Sequence, residues 1–104
     1  MTIQGRRLEL HEMLKSVMTN GNVYHQPPES LKLKYPCLVY ERARDFTLHA
    51  DDKKYHRRLR YTVTLIDKKS VSDYLEPMMD LPYCTYDRHF TTDDLNHDVF
   101  TLYY

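Results

Sequence analysis

A chain of 104 residues is a single domain with a modest core, because a short chain buries a smaller share of its surface than a long one. With 41% hydrophobic and 29% charged residues it is too apolar to be disordered. Its 15 basic and 15 acidic side chains cancel, which excludes the global basic excess of a protein built to grip duplex nucleic acid.

Residues 4–19 carry the first periodic pattern. Leu10, Met13, Leu14, Val17 and Met18 fall on one helical stripe, with Leu8 beside it. Arg6, Arg7, Glu9, Glu12 and Lys15 take the remaining positions, and Asn20-Gly21 predicts the stop. No stretch here is long and apolar enough for a signal peptide or a membrane span, so a cytoplasmic protein is expected.

Residues 22–36 form a connector whose Pro27-Pro28 pair suits neither a helix nor a central strand. It is predicted to run extended along the surface, with Val23-Tyr24 offering a short strand. Its length suggests a segment that contacts something. Residues 37–43 read as the first main strand. Phe46 and Leu48 alternate with Thr47 and His49 in a short one, and Ala50-Asp51-Asp52 reads as a turn.

The long strand at 55–67 is the clearest element. Leu59, Tyr61, Val63 and Leu65 share one face, while Arg58, Arg60, Thr62 and Thr64 share the other. This two-residue period describes a half-buried strand.

Residues 71–80 predict a short helix with Val71, Leu75, Met78 and Met79 as its apolar face and Ser70 or Ser72 as its cap. Pro77 implies a kink there, or a helix that begins near Glu76. A strand over 83–90, a six-residue turn TTDDLN and a last strand over 97–104 form an antiparallel hairpin. Both faces of the last strand carry apolar groups, so it lies centrally in the sheet or against a neighbouring subunit. The order predicts an α+β fold: an antiparallel or mixed β-sheet of about four to five strands packed with an N-terminal helix and one short second helix.

Little in the chain suggests chemistry. The six histidines are scattered without close pairs, and there is no CxxC, so no metal site is expected. Cys37 and Cys84 read as reduced core thiols. A disulfide is the alternative, which no secretion signal supports. Asp87 and His89 would share a strand face, as an acid/base pair requires, but a polar strand face with a charge ladder is the preferred reading. Two glycines supply no phosphate loop, and there is no G-x-S-x-G elbow, so neither catalysis nor a cofactor is expected. The basic cluster Lys53, Lys54, His56, Arg57, Arg58 and Arg60, with Tyr55 and Tyr61 interleaved, could track a phosphate backbone, but at zero net charge a solvated strand end, or an interface facing acidic groups such as Asp93 and Asp94 of a neighbour, is the preferred reading. Ten tyrosines and no tryptophan hint at assembly, since tyrosine is enriched at interfaces. The candidate interface residues are Lys53, Lys54, Arg57, Arg58, Asp93, Asp94, Tyr103 and Tyr104.

Several phrases carry a resemblance: QPP at 26–28, KYPCLVYE at 34–41, RYTVTLID at 60–67, LPYCTYDRHFTTDDLNH at 81–97 and the closing FTLYY. Together they resemble a family of small tail proteins of long-tailed phages of Gram-positive bacteria, the tail terminator or tail completion proteins, also described as minor capsid or head-tail joining proteins. The chain departs from that pattern in the compact run KKSVSDYLEPMM. The resemblance implies a virion structural protein made in the host bacterial cytoplasm. Its subunits would close into a hexameric ring that caps the tail tube and stops its growth. The implied partners are the major tail tube protein and a head-side connector or stopper, with DNA passing through the lumen. The alternatives are a head-side connector or stopper protein of the phage neck, or a small nucleic-acid-binding protein using the basic strand end.

Overall fold

The computed structural model describes residues 3–19, 22–43, 48–50 and 57–104. Helix α1 spans Ile3–Val17. Strands β1 (Val23–His25), β2 (Cys37–Arg42), β3 (Leu48–Ala50) and β4 (Arg57–Asp67) follow, then helix α2 (Leu75–Met79) and strands β5 (Cys84–Thr92) and β6 (Leu95–Tyr103). The sheet runs in the order β1-β2-β4-β6-β5, and β3 pairs with the start of β4. The fold is α+β with a mixed sheet, an N-terminal helix and a short second helix, as the sequence predicts.

β4 is paired along both sides. Residues 61–66 face β2 and residues 60–67 face β6, both antiparallel. Its alternation then sorts the layers. Leu59, Tyr61, Val63 and Leu65 are buried on one face beside Leu38 and Tyr40 of β2 and Phe100 and Leu102 of β6. Leu10 and Leu14 from α1, Met18 just after it, and Met78 from α2 close this core. Leu8 stays 52% exposed at the edge of the stripe. Asn20 and Gly21, the expected helix stop, lie outside the described residues, as do Phe46, Thr47 and the Asp51-Asp52 turn.

The other sheet face carries Val39, Thr62, Thr64, Ile66, Val99 and Thr101. The buried side chains of both helices belong to the opposite layer, so among the described residues no helix covers this face. Ile66 and Val99 are nevertheless buried there. Phe90 lies flat on His97 on the same side, ring centroids 4.6 Å apart.

The connector has a geometric reason for its length. β1 pairs parallel to β2, and adjacent parallel strands need a crossover of about a dozen residues between them. Residues 26–36 supply it, with the Lys34 N–H donating to Tyr24 Oη at 3.3 Å and Asn22 Nδ2 donating to the Pro36 carbonyl at 3.2 Å.

The second helix begins at Leu75, near Glu76 as Pro77 implies, and covers only five residues of 71–80, so Val71 lies before it; Val71 and Met79 are 68% and 52% exposed while Met78 alone is fully buried. The N-cap is Tyr74, with no side-chain cap bond. Ser72 sits two residues earlier, where its hydroxyl accepts from the Tyr74 N–H and donates to Asp67 Oδ2 at 2.7 Å. Pro77 falls in the first turn, where a backbone N–H has no intrahelical acceptor, so its missing donor leaves nothing unpaired.

The hairpin also differs. Pairing continues to Thr92↔Leu95, leaving a two-residue loop, Asp93-Asp94, in place of a six-residue turn. Both loop residues have positive φ, 52° and 61°, the signature of a type I′ turn whose twist matches the flanking strands. β6 is central, between β4 and β5, as its two apolar faces require.

Leu14→Ala is expected to cost about 2–5 kcal/mol of unfolding free energy in urea titrations, since Leu14 is wholly buried, whereas Leu8→Ala should cost less than about 0.5 kcal/mol. Equal losses at the two positions would contradict this placement of the helix face.

Candidate functional site

The candidate interface residues lie at the two ends of the sheet. Arg57 and Arg58 begin β4 and pair with Ala50 and His49 of β3. Lys53 and Lys54 lie outside the described residues. Asp93 and Asp94 are exposed at the hairpin tip, at the opposite end. Tyr103 and Tyr104 end the chain beside the start of β4. The Tyr103 N–H donates to the Tyr83 carbonyl, and Tyr104 exchanges two backbone bonds with Leu59. The Tyr104 hydroxyl donates to Glu9 Oε2 at 3.3 Å, and the Arg6 guanidinium lies over its ring at 5.2 Å. Tyr104 therefore ties the end of β6 to α1, and Tyr103 ties it to the segment before β5, cohesive roles within the subunit.

The structure brings together a basic pocket that the sequence does not single out. Arg7 from α1, His25 and Gln26 from the end of β1, Arg42 from the end of β2, and Leu59 and Tyr61 from β4 line a depression of about 230 Å³. Next to it stands Tyr40, fully buried. Its ring lies 4.8 Å from that of His25, 5.7 Å from that of His11 and 6.2 Å from that of Tyr61. The Tyr40 hydroxyl is hydrogen-bonded to His11 Nδ1 at 2.8 Å, and the Arg7 side chain acts on the same hydroxyl. Desolvation lowers the His11 pKa, helped by the Lys15 charge. It also lowers that of His25, helped by the charges of Arg7 and His11. Desolvation raises the pKa of Tyr40, against the bond and charge of Arg7. Among the described residues that line it, the charged side chains are Arg7 and Arg42.

Elsewhere the groups singled out for chemistry do not converge. A β-bulge falls between Tyr86 and Arg88, so Asp87 is the extra residue and the strict alternation that would align it with His89 is broken. Asp87 pairs with Arg88 at 2.7 Å, and His89 Nε2 meets Asn96 Oδ1 at 3.0 Å. Both thiols are free. Burial, with the Asp67 charge adding to it, pushes Cys37 from 9.0 up to about 12, and burial pushes Cys84 up to about 11. A thiol so far from ionising is a poor nucleophile at neutral pH. Asp98 is buried and accepts from the Tyr86 hydroxyl at 2.9 Å. Among the described residues no three His, Cys, Asp or Glu side chains gather as a metal site would need, and no helix is long and apolar enough to cross a membrane. Compared with family models, curated proteins and solved structures, the chain matches none of them.

Two outcomes follow from these titrations. The folded state holds His11 and His25 below their ordinary 6.5, so their contribution is complete above that value and is lost as the pH falls through the lowered pKa values. The urea midpoint should therefore drop between pH 7.5 and pH 5.5, and His11→Gln should narrow that drop. An unchanged gap in the variant would remove His11 from the account. Both cysteines should resist a thiol-reactive dye at pH 8 in the native protein and react fully once it is denatured; rapid native labelling of Cys37 would contradict its burial.

Proposed function

We propose that the chain is a structural subunit of a phage tail, a tail terminator that closes into a ring on the end of the tail tube, stops its elongation and presents the surface that joins the head. The single observation that carries the assembly part of this reading is the unfinished sheet. β5 is a nine-residue edge strand whose residues after Cys84 are all exposed, with one bulge and no lysine or proline along it. Such an edge offers a row of backbone donors and acceptors to another chain. The opposite edge, β1, is only three residues long and runs into Pro27-Pro28, a blunted margin. A small domain with one long open edge gains stability by burying it in a larger body.

The particular assembly rests on the resemblance to tail terminator proteins in the phrases KYPCLVYE, RYTVTLID and LPYCTYDRHFTTDDLNH. In this reading the partners are further copies of the chain, the tail tube protein and a head-side connector. DNA passes through the lumen without base recognition, in keeping with zero net charge.

Light scattering on the purified chain, alone and with tubes of the tail protein encoded alongside it, tests this. A hexameric ring, formed alone or on the tubes, is the expected result. A chain that stays monomeric and never binds tubes would overturn it, and a chain that joins portal-side rings instead would be a head-side connector.

A further inference from the structure

We propose that the free chain seals its open sheet edge with a second copy of itself, β5 lying antiparallel to the partner's β5 across a two-fold axis beside Asp87-Arg88, so that two sheets become one. This goes beyond the ring reading above. A two-fold contact joins two copies and stops, so it describes the chain before it reaches a tube.

The phase of the backbone decides which groups of β5 are on offer. The Tyr103 N–H donates to the Tyr83 carbonyl, while Tyr104 exchanges two bonds with Leu59. Bonded pairs alternate along an antiparallel ladder. The odd-numbered residues of β6 therefore bond β5, and the even-numbered ones bond β4. The register then turns the backbone of Thr85, Arg88, Phe90 and Thr92 toward β6. That of Cys84, Tyr86, His89 and Thr91 points outward, and among the described residues no strand pairs with that side.

The bulge makes this edge self-complementary. In a regular strand Tyr86 and His89 would lie on opposite faces of the sheet and bond in opposite directions. The extra residue at Asp87 restores them to one face, with both backbones outward. Two copies of β5 laid antiparallel, with Tyr86 opposite the partner subunit's His89, then match twice over: outward groups meet outward groups, and like faces meet. The same register sets Thr85 opposite the partner subunit's Phe90, a favourable pairing of a β-branched with an aromatic side chain. It covers part of Tyr86 and Phe90, which are 39% and 40% exposed. Asp87 and Arg88 keep their own ion pair at 2.7 Å. Asp87 stands across from the partner subunit's Arg88, so no like charges face each other.

No other described strand fits the edge as well. β1 and β3 are three residues long, and either would leave most of the outward groups of β5 unbonded.

Sedimentation equilibrium of the wild-type chain should show a concentration-dependent dimer. His89→Pro withdraws only an outward N–H, which an edge strand tolerates, and it acts twice across the axis. It should weaken the dimer at least about tenfold. A wild-type chain that stays monomeric at millimolar concentration overturns the proposal, and so does a folded variant that dimerises as the wild type does. Should the variant not fold, amide exchange in the wild-type chain decides. The N–H groups of Tyr86, His89 and Thr91 should exchange more slowly as concentration rises, while those of Thr85 and Phe90, which face β6, should not change. A uniform change along β5, or none, overturns the contact. Slowing that requires added tail tube protein means that the edge serves the tube, which overturns self-pairing and leaves the ring reading standing. A dimer with the alternating pattern that never binds tubes sustains the proposal and refutes the ring.

Discussion

The structure depends on β4 being paired along both of its edges. A strand held between β2 and β6 has its backbone groups satisfied by neighbours, which fixes its register, and a slip of one residue would turn Leu59, Tyr61, Val63 and Leu65 away from the helices. The placement of α1, the burial of Tyr40 and the central position of β6 all follow from that register. Burial is most complete around this strand: Val63, Leu65, Phe100 and Leu102 leave no surface to solvent.

The two faces of the sheet have different fates. One receives both helices and becomes the core. On the other, Ile66 and Val99 are buried and the Phe90 ring is laid on His97. Asp67, at the end of β4, is buried but satisfied: its Oδ1 accepts from the Lys69 N–H at 3.1 Å and its Oδ2 from the Ser72 hydroxyl. These bonds turn the chain out of the sheet and into α2, so the small helix is set by a side-chain network rather than by a cap of its own.

Much of this was legible in the sequence because it is local and periodic. The α1 stripe, the alternation of β4 and the doubly apolar β6 each declare themselves within one element. What stayed hidden is non-local or lacks a local signal. The parallel pairing of β1 depends on a chain crossing that no periodicity encodes. The bulge at Asp87 leaves no mark on composition, so Asp87 and His89 read as face-sharing neighbours. Asp-Asp is a poorer signal for a tight hairpin than Asn-Gly, which is why six residues rather than two were assigned to that turn. Val71 and Met79 fit an apolar helical face by spacing, but the helix is too short to bury them. The basic pocket draws on α1, β1, β2 and β4, and in sequence terms Arg7 is simply one charge on the polar side of a helix.

The unequal margins of the sheet have a consequence for the kind of aggregate this protein can form. Among the described residues, the three-residue β1 beside its prolines offers a much shorter run of backbone pairing than the nine-residue β5. A cross-β stack that used both margins would have to grow through the short one, which holds few bonds for each molecule added. Crowding many copies onto one large particle therefore carries little hazard of fibril formation through the sheet.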